Sequence, residues 1–433
     1  MVLPYVQMGN NMTMSARLVR SLSLLAAIVA CLMLASPAEA SISQAKIVSP
    51  TPASWTPRVI LGSSGQTVYA FAQVGSTMYA GGRFTQLNDS QVTQTSNRSN
   101  FVAFNATTGA ILPLRLDANN AVEVIVPSPD GKAIYIGGDF TSIGGVNIRG
   151  MVRFDLTTQT IDTRFNPQLD GVVTDAAFVG SRLVVAGTFT RQLRAIDPAT
   201  GVDTGYINLK IAGKTDPNDA TRVRRLAANP AGTTLVALGN FTSVAGQART
   251  QAFRIDLTGT KAALSPWHVP RLDTPCSSSL GMFSRGVDFS PDGSYFVIVT
   301  TGGPHGTTGL CDAAARFETS NVSSSVEPTW INWTGGDSLY SVAITGATVY
   351  VGGHQRWLDN PLGSDSAGPG AVSRPGIGSI DPVSGRATSW NPTKDRNHGT
   401  EKLYATAAGL WVGSDGTYFD QLKRPGIVFC PLT

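Results

Sequence analysis

Charge is what this chain has least of: Asp, Glu, Lys and Arg make up 14% of its 433 residues, against roughly 25% in an average globular domain. Coiled coils, long-helix proteins and charge-driven disordered chains all need abundant charge, so none of them fits. Histidine and cysteine are scarce as well, with four of each. No His-Glu-x-x-His, P-loop, Gly-x-Ser-x-Gly, Cys-x-x-Cys or Asp-x-Asp-x-Asp-Gly phrase occurs, so several common metal, phosphate and hydrolase chemistries lack their usual residues. Four scattered histidines do not have helical metal spacing, and neither a metal nor a cofactor is expected. Beyond residue 40 no apolar run reaches the roughly 18 residues that mark a membrane-spanning helix.

What is present begins with a leader. Arg17 and Arg20 precede an apolar stretch from Leu22 to Leu34, and Ala38-Glu39-Ala40 is a small-x-small cleavage site. The pattern predicts export with cleavage after Ala40, so residues 1–40 are read as a signal peptide and 41–433 as one domain. A second reading takes Ile28-Val29-Ala30-Cys31 as a lipoprotein box with a lipid on Cys31; against it, the apolar run continues through Leu32-Met33-Leu34. Without the leader the chain has 31 basic and 28 acidic residues. That near-neutral balance gives no reason to expect nucleic acid as a partner. Cys276, Cys311 and Cys430 remain, and export permits a disulfide. Cys276 and Cys311 bracket one repeat unit and form the expected pair, with Cys430 left over; three buried thiols are the alternative.

A β-rich phrase ending in Gly recurs: TMYAGGRFT (77–85), AIYIGGDFT (133–141), RLVVAGTFT (182–190) and TLVALGNFT (234–242), then looser copies at 295–306, 348–356 and 409–416. The Gly-to-Gly steps are 56, 49, 52, 64, 50 and 60 residues. Each unit opens on an apolar or alternating run, such as AVEVIVP (121–127), turns through phrases such as Ser128-Pro129-Asp130-Gly131, and enters the Gly-ended strand. A third strand closes on Asp, Asn or Glu, as in MVRFD (151–155), and a short fourth ends on Trp or Phe and Pro, as in Arg164-Phe165-Asn166-Pro167. Four short antiparallel strands per unit, seven times over, predict an all-β fold: a seven-bladed β-propeller of four-stranded blades. The last unit lacks its fourth strand, and Ser54-Trp55-Thr56-Pro57 resembles the missing phrase. The N-terminal strand is therefore expected to complete the last blade and remove the open edges.

GGDFTSIGG followed by RGMVRFDLTTQTIDTRFNP (137–167) resembles the delta-60 repeat of secreted and surface bacterial propellers. The resemblance is good in the first four units and weak in the last three. It implies fold and export but no activity, because the repeat is a scaffold without a shared catalytic set.

In such a blade the connections after strands two and four emerge on one face. The long connections 85–100, 208–221, 267–285, 354–376 and 391–401 fall there, as do His268, His305, His354 and His398. The opposite face is expected to carry short hairpins only. Two residues beyond the aligned Gly stands Phe84, Phe140, Phe189 or Phe241 in the first four units, read as packing between blades; His305, Gln355 and Asp415 follow in the last three. Such a break marks either a site or simple drift. The densest chemistry is His354-Gln355-Arg356-Trp357-Leu358-Asp359-Asn360, with Lys394-Asp395-Arg396-Asn397-His398 in the next blade. Arg356 offers a fork for an anion, Trp357 a flat face for a sugar ring, and Asp359 and Asn360 partners for hydroxyls. A purely structural role for Trp357 and Arg356 stands beside that reading.

Gly336-Asp337-Ser338-Leu339 spells the phrase of the GDSL lipases, and Asp395 and His398 have that family's Asp-x-x-His spacing. Those enzymes are α/β proteins, and no helical period is present here, so Ser338 is read as a loop hydroxyl. The expected function is a secreted, monomeric recognition module binding an extracellular glycan or protein through His305, His354, Gln355, Arg356, Trp357, Asp359, Asn360, Arg396 and His398. The alternative is a polysaccharide hydrolase or lyase drawing on Asp359, Asp395, Asp415 and His398.

Overall fold

Short apolar runs punctuated by Asp- and Gly-bearing turns give antiparallel strands throughout the computed structural model. It describes residues 1, 2, 4, 42–62, 65–277, 281–304 and 306–433. The chain divides into Met1–Pro37 and Ala38–Thr433, and the sheets belong to the second unit. The leader, its cleavage site, Cys31 and His305 lie outside the described residues.

Seven principal sheets follow one another along the chain: sheet 1 (67–105), sheet 2 (122–161), sheet 3 (173–196), sheet 4 (222–264), sheet 5 (284–333), sheet 6 (339–380) and sheet 7 (400–431). Within each, strands lie in chain order and pair antiparallel. Sheets 2, 4 and 5 have four strands. In sheets 1, 3 and 6 the fourth strand shrinks to a single bridge: Phe104 with Ile111, Ile196 with Asp203, and Ile380 with Ala387. In sheet 2 the fourth strand is Thr160–Ile161 rather than the Arg164–Pro167 phrase, whose Phe165 is buried beyond it.

The turn chemistry matches the local sequence. Ser128 donates its hydroxyl to Asp130 at 2.6 Å, and Gly131 takes the positive φ of 66° that closes the hairpin. Where a third strand ends on Asp, that acid caps the following turn, as where Asp155 accepts from the Thr157 and Thr158 amides, both at 2.9 Å.

The Gly of the recurring phrase has a steric cause. A Cβ at Gly82, Gly138, Gly187, Gly239 or Gly353 would fall 1.9–2.2 Å from a carbonyl oxygen at the start of the first strand. Strand pairing puts Thr300 and Ser414 at this position in sheets 5 and 7. This shifts the phenylalanine column: Phe84, Phe140, Phe189 and Phe241 are followed by Gly302, Gln355 and Gly416, not by His305, Gln355 and Asp415. Only sheet 6 places a polar side chain there. A Cβ on Gly302 would meet Cys276 Sγ at 2.6 Å, and one on Gly416 would meet Lys394 Nζ at 2.6 Å. The Cys276–Cys311 disulfide and the buried Lys394 chain therefore fill space that phenylalanine fills elsewhere. Cys430 is a buried free thiol.

Apolar side chains form seven clusters, each between two consecutive sheets; the one joining sheets 7 and 1 combines Val68, Phe71 and Phe104 with Trp411 and Phe429. First strands touch in the same order, and Thr400–Thr406 of sheet 7 touches Thr67–Val74 of sheet 1. The N-terminal segment runs beside the last strand: Ser49 N–H donates to Pro431 O and Ala53 N–H to Phe429 O, both at 2.8 Å.

Two features depart from the sequence reading. The connections after second strands are not plain loops. Small ribbons form at 86–97, 142–147, 243–248, 357–373 and 418–423, where the chain folds back on itself and satisfies its own backbone groups. Opposite them, sheet 5 joins its third and fourth strands through the long stretch 319–329.

Candidate functional site

A cavity of about 850 Å³ opens beside sheets 6 and 7. The segment 61–66 supplies Leu61, Gly62, Gly65 and Gln66; Tyr340, His354, Asn397, His398, Asp415 and Thr417 complete its lining. Of the residues expected from sequence it brings together His354, His398 and Asp415. His354 Nε2 accepts the Ser338 amide at 3.2 Å, so its proton sits on Nδ1 and meets Tyr340 Oη at 2.8 Å. Burial favours this neutral imidazole and pushes its pKa down. Burial likewise pushes the Tyr340 phenol up to about 12. With its oxygen already accepting from His354, Tyr340 keeps its own O–H as a donor. Asp415 takes the His398 and Gly399 amides at 2.8 and 3.0 Å and so fixes the loop that carries His398.

The other expected residues among those described stand outside this lining, and most are engaged with the protein itself. Buried Asp337 receives Arg356 through Nε at 2.8 Å and Nη2 at 3.1 Å, and Arg396 through Nη2 at 2.7 Å. The Arg356 guanidinium lies 4.4 Å over the Trp357 ring, which belongs to a two-residue strand paired with Val372–Ser373. Asp359 accepts from Asn332 at 2.5 Å and from the Ala387 amide. Buried Asn360 donates to Thr334 O and Ser366 O and accepts from Gly368 N–H, organising the loop after it. Gln355 is fully buried with neither amide atom hydrogen-bonded. Asp395 accepts the Thr417 amide at 2.7 Å. His268 is held by Asp273 at 2.9 Å and by Ser324 O, away from the cavity. The Ser338 hydroxyl donates to Asp312 at 2.9 Å, and the imidazole nearest to it meets its amide, which is not the geometry of an activated serine.

A second feature is not legible in any single repeat unit of the sequence. All seven first strands carry a bulge at the same place, next to their first residues: Tyr69, Glu123, Thr174, Arg224, Arg285, Tyr340 and Glu401 are the extra residues in sheets 1 to 7. A bulge re-aims its side chain. Here the re-aimed groups meet although they come from distant sheets. Arg285 Nη2 of sheet 5 lies 3.0 Å from Glu401 of sheet 7, and the Arg285 guanidinium sits 4.6 Å over the Tyr340 ring of sheet 6. Burial raises the Glu123 carboxyl, opposed by the charges of Arg225, Arg224 and Arg285. Burial lowers Arg224 well below the usual guanidinium range, reinforced by Arg285, Arg222 and Arg225. Aligning the units on their first strands instead of their second exposes this polar column, behind Val68, Val122, Val173, Val223, Ser284, Leu339 and Thr400.

Residues 101–200 match the family model described as the Rax2 C-terminal beta propeller domain. The match supports a β-propeller; the delta-60 type rests on the phrases of the chain alone. No curated protein matches the chain. The Cys276–Cys311 bridge is of a kind favoured in oxidising compartments. No helix among the described residues is long and apolar enough to cross a membrane.

Proposed function

We propose that the chain is an exported, monomeric seven-bladed β-propeller, closed by its N-terminal segment, that recognises an extracellular carbohydrate or protein at the loop-rich face. The cyclic order of sheet contacts and the hydrogen bonds of Ser49 and Ala53 support the closed ring. The cavity carries the functional reading. It offers a hydroxyl donor in Tyr340, imidazoles in His354 and His398, and amides in Gln66 and Asn397. Such a lining suits a neutral, hydroxyl-rich ligand. Polysaccharide cleavage has less support. Of Asp359, Asp395 and Asp415 only the last lines the cavity, and its two oxygens already hold the His398 and Gly399 amides.

The test combines a glycan array, capture of protein ligands and a reducing-end release assay on the full chain, His398→Ala and Tyr340→Phe. Binding that both variants weaken, with no sugar released by any of them, is the expected result. Release of reducing ends by the native chain overturns the binding-only reading, and absence of any ligand overturns the recognition role.

A further inference from the structure

We propose that a second cavity, beside sheet 2 and apart from the one at sheets 6 and 7, binds the C-terminus of a peptide that ends in an aliphatic residue. The inference goes beyond the reading above, because it assigns a separate site and the class of its ligand.

The cavity exists because one unit breaks a rule that others keep. In sheets 1, 4 and 6 an arginine leads into the third strand. Its N–H fastens it to the residue ahead of the ribbon: Arg98 to Thr85 O, Arg249 to Thr242 O and Arg374 to Arg356 O. Its Nη2 then reaches a carbonyl at the end of the fourth strand: Leu112 O at 3.2 Å, Ser265 O at 3.1 Å and Thr388 O. In sheet 2 the same backbone bond, to Thr141 O at 3.1 Å, belongs to Ile148. Asp162 holds the place of the carbonyl that the guanidinium reaches. Its N–H donates to Arg153 O just as those of Leu112, Ser265 and Thr388 donate to Ala103 O, Arg254 O and Ser379 O. Isoleucine is shorter than arginine and carries no donor. A cavity of about 300 Å³ opens in its stead, lined by Ile148 and by Ile161 and Thr163 on either side of Asp162.

The lining divides by chemistry. Val146, Ile148, Ile161 and Leu169 make an aliphatic floor, half-buried or buried. Exposed Asn147, Thr163, Asn166 and Gln168 make the rim. Asn166 Oδ1 accepts the Gln168 amide at 3.2 Å, and no other side-chain hydrogen bond engages these four among the described residues. A side-chain amide offers a donor and an acceptor together, the complement of a peptide group. Arg149, exposed on the same rim, has one long hydrogen bond, from Nη1 to Asp170 O at 3.4 Å, and no ion pair among the described residues. Its fork matches a terminal carboxylate. No aromatic ring lines the cavity, so a sugar ring lacks a flat face to stack on. A C-terminal residue uses the whole lining: its aliphatic side chain on the floor, its peptide group at the amides and its carboxylate at Arg149.

Calorimetry on the full chain at low salt uses four probes: acetyl-Gly-Gly-Leu with a free carboxylate, the same peptide as its C-terminal amide, octanoate and N-acetylglucosamine. The free-acid peptide is expected to bind at least about tenfold more tightly than each of the others. Arg149→Gln is expected to weaken it by about tenfold and to erase the preference for acid over amide. Ile148→Arg puts back the side chain that sheets 1, 4 and 6 carry, fills the cavity and is expected to abolish binding. Arg149→Gln, at an exposed position, serves if that variant does not fold. His398→Ala, which alters the other cavity, is expected to leave peptide binding unchanged. Equal binding of acid and amide, tighter binding of octanoate or of the sugar, or no heat up to about 10 mM each overturns the proposal. So does unchanged binding in Arg149→Gln or in folded Ile148→Arg, and so does loss of binding in His398→Ala.

Discussion

Arg285 of sheet 5 reaches Glu401 of sheet 7 at 3.0 Å by passing 4.6 Å above the Tyr340 ring of sheet 6, so one half-buried ion pair spans three consecutive sheets. Removing one partner leaves the other charge in a crowded setting. Glu401→Gln is therefore expected to destabilise the chain by about 1–3 kcal/mol in urea unfolding, part of which returns in the double variant Glu401→Gln/Arg285→Met. Equal stability of the Glu401 variant and the native chain would show that the pair contributes nothing.

The recurring glycine makes a sharper steric prediction. A Cβ at Gly138 would lie 2.1 Å from Ala121 O, a backbone atom that cannot rotate away, whereas Gly145 has open space around its own Cβ position. Gly138→Ala is expected to cost on the order of 3 kcal/mol through forced strand separation. Gly145→Ala, with φ of 81°, should cost only about 1 kcal/mol of local strain. Parallel thermal melts separate the two, and equal losses would refute the steric account of the repeat.

That glycine also explains what could be read from the sequence. Steric demand repeats with the fold, so the second strands, their turns and the capping acids at Asp155, Asp197 and Asp381 were all legible from spacing. Spacing from the nearest Gly misplaces the phenylalanine column in sheets 5 and 7, because pairing with the first strand selects Thr300 and Ser414. The cluster at 354–360 looked chemical because it is polar. Its polarity is spent on Asp337 and on the loop backbone, a distinction that only contacts reveal. The bulged residues are not legible because a bulge has no sequence signature in one unit. It emerges only when seven first strands are compared in register.

Asp312 sets a pH dependence. Burial raises its carboxyl to about 6, against the opposing hydrogen bond from Ser338 and with Asp337 and Asp365 pushing the same way as burial. The folded pKa exceeds the unfolded value, so the native state holds more protons between the two. The group's favourable contribution is complete below about pH 4 and is lost as pH rises through about 6. Asp312→Asn removes that loss. Its stability relative to the native chain is expected to rise by about 2–3 kcal/mol between pH 4 and pH 7 in urea titrations. A pH-independent difference would mean that Asp312 titrates as an ordinary carboxylate.

The N-terminal segment tests the closed ring. Its backbone covers Phe429 and Pro431, Gln44 donates its amide to Thr406 O at 2.8 Å, and Val48 N–H donates to Tyr350 Oη at 2.8 Å. Trp55 packs its ring 5.7 Å from Trp411 and 5.4 Å from Phe429. Excising residues 42–57 strips these contacts and leaves the last strand as an unpaired edge, which recruits other chains when exposed. The excised protein is expected to melt at a lower temperature and to associate as concentration rises on size-exclusion chromatography. Adding the segment back as a peptide should reverse both effects, because the edge pairs with any chain of matching register. A monomer with unchanged melting would mean that the segment lies against the last sheet without closing anything.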